Sequence, residues 1–194
     1  MGRDLQSRGA GGVGGAQANV GAMIATDIYQ PAEWHDFFLV TGGGAAALAG
    51  LVFVAMSINL DVVAQNATHR GRAINMLTGF VSAFTICALA LMGGQSHQAV
   101  GTEWFVVATV AALIYVRNYV QAAKGGGITT ELRPDRLAAG VSCYVAQIGG
   151  ALVLILGYVA GLYVAAVGLI VLFPLVISGA WLLLVAVHED RSPQ

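Results

Sequence analysis

The chain has 194 residues, 57% of them hydrophobic and 10% charged, with a formal net charge of −1. A soluble domain carries charge on roughly a quarter of its residues, so this composition excludes water as the main solvent. So few cations also exclude a nucleic-acid surface, and the expected environment is a lipid bilayer.

Residues 1–21 hold seven glycines and no periodic apolar pattern. Such a segment cannot bury enough apolar surface to offset its ordering, so residues 1–22 are expected to form a disordered Gly-rich tail, with Met23 as an alternative start. From there a single transmembrane domain is expected to occupy 23–188, followed by a short polar tail over 189–194.

Four stretches lack any Lys, Arg, Asp or Glu: 37–60, 73–102, 104–116 and 137–187. In hydrocarbon every backbone N–H and C=O must be satisfied within the segment, and long continuous apolar runs meet that demand as helices. A crossing takes about 20 residues. The expected fold is therefore an all-α polytopic membrane bundle of about five helices, near 37–59, 73–93, 104–123, 137–157 and 162–187.

Pro31 suits the first turn of helix one, and Glu33 and Asp36 complement its dipole. Trp34, Phe37 and Phe38 are expected to anchor it at the membrane interface, as Trp104 and Phe105 do for helix three. Gly42, Ala46 and Gly50 recur every four residues in helix one, a spacing that allows close helix approach. The helix they receive belongs either to this chain or to another protomer.

Helix three has the shortest uncharged core and must run past Arg117, whose long side chain can reach the headgroups. Pro134 suits the start of helix four. Helices four and five must be cut from one uncharged run, and the Gly157–Gly161 segment is the better break, because cutting at Gly149–Gly150 leaves helix four too short. Pro174 is expected to kink helix five.

Arg70, Arg72, Arg117, Lys124, Arg133, Arg136 and Arg191 fall on one side of this layout, and the connections on the other side contain no Lys or Arg. By the positive-inside rule the N-terminus is outside and the C-terminus cytoplasmic. Cys87 and Cys143 differ in depth by about 10 Å at 1.5 Å per residue, too far for a disulfide.

Proton and ion pathways usually place ionisable residues within the helices. Here the deep polar residues are Thr78, Ser82, Thr85, Ser142 and Gln147, with Ser57 and Asn59 closing helix one. Hydrogen bonding to their own backbone or between helices accounts for them, and Gln147 most needs partners. His69 and His188 read as solvated loop residues.

His35, Asp36, His97 and Glu103 gather on the outer side, where two imidazoles and two carboxylates could bind zinc or iron. No short ligand spacing ties them together, so no metal, cofactor or catalytic residue is assigned. No nucleophile stands at motif spacing from a His and an acid, and no phosphate-binding loop is present.

The segments Glu33-Trp-His-Asp-Phe-Phe38, Gly50-Leu-Val-Phe-Val-Ala-Met-Ser-Ile-Asn-Leu60 and Gly94-Gln-Ser96 before Gly101 resemble a family of uncharacterised small integral membrane proteins found mainly in actinobacteria. Some similar sequences carry the label modulator of FtsH protease. The resemblance spans about 34–119 and implies a bacterial inner (plasma) membrane location and a start near Met23. It brings no catalytic residues.

The expectation is a non-enzymatic accessory or regulatory protein acting through helix–helix contacts at Gly42, Ala46 and Gly50. Its partners would be the lipid bilayer and either another membrane protein or a second copy. The alternative is a small oligomeric transporter or channel around Gln147 and the Pro174 kink. A membrane enzyme using the outer His35, Asp36, His97 and Glu103 group ranks third.

Overall fold

A computed structural model describes residues 31–61, 67–124 and 134–191, and the side chains of 32–61, 69–121 and 135–181. The expected tail, the start near Met23 and the loop after Lys124 lie outside the described residues. Among the described residues the chain is all-α, with five helices: α1 (Pro31–Ile58), α2 (Ala67–Ala90), α3 (His97–Lys124), α4 (Pro134–Ile155) and α5 (Ala160–Arg191). Each is long and apolar enough to cross a membrane, and the molecule is a polytopic membrane helix bundle.

Prolines open α1 and α4, where the missing N–H and fixed φ suit a first turn. α2 begins at Ala67 and α3 at His97, six and seven residues before the expected starts. At α3 a cap rather than hydropathy sets the end: the Ala99 N–H donates to Ser96 Oγ at 3.2 Å, well ahead of the uncharged run over 104–116. Arg70 and Arg72 therefore ride on α2 instead of in a loop. α5 runs to Arg191, so the first residues of the expected C-terminal tail are helical, and no helix breaker occurs there before Pro193.

The break between α4 and α5 falls at Gly157, with φ of 93°. Tyr158 N–H donates to the Val153 carbonyl and Gly157 N–H to the Leu154 carbonyl, the pair of bonds that ends a helix through a left-handed glycine. Gly149 and Gly150 lie inside α4.

Contacts link α2 to α3, α3 to α4, α4 to α5 and α5 back to α2, which closes a four-helix ring; α1 packs chiefly along α2. Early residues of one helix meet late residues of the next, as in Gly42 with Cys87, Asn75 with Asn118 and Tyr115 with Arg136, so successive helices are antiparallel. The α1–α2 connection, the α3–α4 connection and the end of α5 thus share one end of the bundle.

Buried positions recur at alternating steps of three and four: 69, 73, 76, 80, 83, 87 and 90 on α2; 140, 144, 147, 151 and 154 on α4; 162, 165, 169, 172 and 176 on α5. That average of 3.5 keeps a seam facing its neighbour along the whole helix. The outward faces carry large apolar side chains such as Val40, Leu113, Val145, Leu156 and Val167. An apolar exterior around an interior that contains Gln147, Asn118, Ser82 and His69 suits lipid as the outer solvent.

Two interface expectations fail on burial. Trp104 and Phe38 are both 1% exposed, and their rings meet edge to face at 6.0 Å inside the bundle. They hold seam positions, so packing claims them and the headgroup level does not. His69 is likewise buried in the first turn of α2, not solvated in a loop.

Candidate functional site

The interior of the ring carries a row of polar side chains. Nearest the α2–α3 connection, about 10 Å into α3 at 1.5 Å per residue, the indole N–H of Trp104 donates to Gln147 Oε1 at 3.4 Å. Gln147 is 0% exposed. Gly168 of α5 makes room for it: a Cβ there would stand 3.1 Å from Gln147 Cγ and 2.8 Å from the Cys143 carbonyl oxygen.

One turn along α4, Tyr144 is buried with its ring 5.8 Å from that of Tyr115. The Tyr115 hydroxyl crosses to the Arg136 carbonyl at 3.2 Å, and the ring edge lies over Gly140, where any Cβ would collide with it. Toward the arginine-bearing end, Asn118 Nδ2 of α3 donates to Asn75 Oδ1 of α2 at 2.8 Å. The row thus ties α2, α3 and α4 at three levels.

Five of the other polar residues named from sequence satisfy themselves locally. Ser82, Thr85 and Ser142 donate to the carbonyls of Gly79, Val81 and Ala139, and Ser57 and Asn59 to those of Phe53 and Ala55. Such back-bonding commits each of these serine and threonine protons to its own helix. Among the described residues, the buried polar ones are His69, Ser82, Asn118 and Gln147, none of them a carboxylate, ammonium or guanidinium. The interior can therefore hold and orient neutral groups, and it offers no carboxylate for proton relay.

Asn75, Asn118 and the donor role of Trp104 escaped the sequence reading. A signal existed, since Asn75 and Trp104 lie within uncharged runs and Asn118 falls at the seam spacing of α3. Only the packing shows that they pair.

The stripe Gly42, Ala46, Gly50 divides. Gly42 is buried, and a Cβ there would lie 2.8 Å from Cys87 Cβ on α2. Ala46 and Gly50 are exposed, and no other described element stands within 4 Å of a Cβ on Gly50. A step of four residues turns about 40° past a full turn at 3.6 residues per turn, so the row spirals off the contact. The seam that does pack runs Phe38, Gly42, Ala45, Ala49, Val52 and Met56. The intrachain reading of the stripe is thereby corrected for Ala46 and Gly50.

The tightest small-residue contact lies instead between α4 and α5. A Cβ on Gly150 would be 2.5 Å from Gly161 O and from Ala165 N, and one on Gly161 would collide with the Gly150 carbonyl. Here two backbones touch.

The outer group does not assemble. His35 Nδ1 meets Asp36 Oδ1 at 3.2 Å on the surface, while Glu103 accepts both its bonds from Gln95 Nε2 at 3.0 and 2.9 Å. Among the described residues no set of three or more His, Cys, Asp or Glu is disposed to hold a metal. Cys87 and Cys143 are buried thiols in separate core clusters.

Fold and interior together define a polytopic membrane helix bundle held by backbone contacts at glycines and by amide and indole hydrogen bonds. No family model, curated protein or solved structure matches the chain.

Proposed function

We propose that this protein is a non-enzymatic accessory or regulatory subunit of a bacterial inner membrane that engages another membrane protein through the outer face of α1. The observation that carries the reading is the position of α1. The other four helices close a ring without it, and 22% of its membrane-spanning stretch is buried, against 28–50% for the ring helices. Its outward face presents Gly43, Ala46, Ala47 and Gly50, all exposed, and among the described residues no other part of the fold comes within 4 Å of a Cβ on Gly43 or Gly50. Small residues on an open helix face allow a second helix to approach closely.

The resemblance to small actinobacterial membrane proteins supports the inner-membrane location, and the basic residues gathered at one end support an outside N-terminus and a cytoplasmic C-terminus. The alternative of an oligomeric transporter or channel has less support. Gln147 is enclosed within one chain, whereas Pro174 is exposed on the outer face of α5, so the two do not border a common path.

Photo-crosslinking in native membranes tests the reading. A crosslinker at Ala46 is expected to give a discrete adduct with another protein, and one at Val167, exposed on α5, none. No adduct from positions 46, 47 or 50, or equal capture from 167, would sink the proposal; an adduct containing only a second copy would replace the foreign partner with a homo-oligomer.

A further inference from the structure

The centre of the four-helix ring holds buried polar atoms that the described residues leave without a partner. Gln147 Oε1 accepts from Trp104, but Gln147 Nε2 meets no acceptor. Exchanging the amide oxygen and nitrogen does not help, because a donor would then face the indole N–H. One turn away on α4, the Tyr144 hydroxyl is also buried without a partner. These positions are three residues apart and therefore neighbours on one helix face. The Ser82 side chain of α2 is the hydrogen-bonding neighbour of the Tyr144 hydroxyl, but the two do not meet in direct bonding geometry. Its own proton is committed to the Gly79 carbonyl, which leaves its oxygen able to accept.

Buried polar groups are almost always hydrogen-bonded, and those without a protein partner are met by ordered water making two to four bonds. The requirement here is for a small occupant that accepts from two donors and can donate to a hydroxyl oxygen. Water fits that description, whereas an anion does not, because no buried cation is described in this interior.

We propose that the centre of the ring is a water-binding site, in which ordered water accepts from Gln147 Nε2 and Tyr144 Oη and donates to Ser82 Oγ. The bound water completes the polar row, connecting the Trp104–Gln147 pair to Tyr144 and so toward Tyr115. This site stands apart from the proposed role of α1, and either can fail without the other.

X-ray radiolysis of the full chain in lipid nanodiscs, read by mass spectrometry, tests it, because hydroxyl radicals formed from bound water label the side chains that water touches. Rates are normalised to those of the unfolded chain. Tyr144 is expected to be labelled although buried, while Phe38 and Phe80, equally buried, stay protected. In Gln147→Leu the Tyr144 label should be lost and the exposed Tyr158 and Tyr163 should keep theirs. Protection of Tyr144 equal to that of Phe80 in the wild type would overturn the proposal, and this comparison stands even if the variant fails to fold. Equal labelling of Tyr144 in the wild type and a folded Gln147→Leu would overturn it as well.

Discussion

Gly149 and Gly150 are adjacent in α4 and have opposite surroundings. Among the described residues a Cβ on Gly149 would meet no other element within 4 Å, whereas one on Gly150 would press against the Gly161 carbonyl and the Ala165 amide, both backbone. Gly149→Ala should be neutral or stabilise by up to about 1 kcal/mol, since alanine loses less conformational freedom in a helix. Gly150→Ala should destabilise by about 1–3 kcal/mol through overpacking. Thermal unfolding of the two variants in one detergent checks the pair, and equal shifts would mean that α4 and α5 do not touch there. At Trp104 the expectation is smaller. Trp104→Phe removes the donor to Gln147 Oε1, which should cost about 1 kcal/mol, and the loss should shrink in a Gln147→Leu background. Additive losses in that double-mutant cycle would show that the 3.4 Å bond contributes nothing.

At the scale of the element, α1 illustrates how a regular spacing misleads. Residues four apart look like one stripe in the sequence, but only the alternation of three and four holds a constant face over a long helix. Gly42 belongs to both patterns and touches α2; Ala46 and Gly50 belong only to the first and point outward. Gly42→Leu should therefore destabilise the isolated protein by about 1–3 kcal/mol, because Cys87 Cβ occupies the space a side chain would need. Ala46→Leu should change stability by no more than about 0.5 kcal/mol, the usual range for an exposed site, while abolishing copurification of any partner. Unfolding in detergent and pull-down from native membranes read the two effects separately. A large loss of stability in Ala46→Leu would place that residue against the ring after all.

For the whole molecule the open question is which way it faces. Arg70, Arg72, Arg117 and Arg136 lie at the end shared by the α1–α2 and α3–α4 connections, and the opposite connections hold no basic residue. Cysteines placed at Ser96 and Thr129 should respond oppositely to a membrane-impermeant thiol reagent added to intact cells, with 96 labelled and 129 protected. The reverse pattern would invert the assignment of sides.

The sequence by itself determined the class of the protein, the five membrane-spanning helices among the described residues and a break within the Gly157–Gly161 segment. Those features depend on local physics: apolar length set against bilayer thickness, backbone satisfaction within a helix, and a glycine that adopts a positive φ. What only the tertiary structure decided was which residues face inward. In a membrane helix both faces are apolar, so hydropathy does not separate lipid from core. Trp104 could be read as an interfacial anchor, Gly150 as a turn and Ala46 as a contact until the seams were seen. The pairing of Asn75 with Asn118 and of Trp104 with Gln147, each 43 residues apart, depends on which helices become neighbours. Ring closure fixes that, because a polar side chain in an enclosed interior takes any direct partner from whatever helix packs against it.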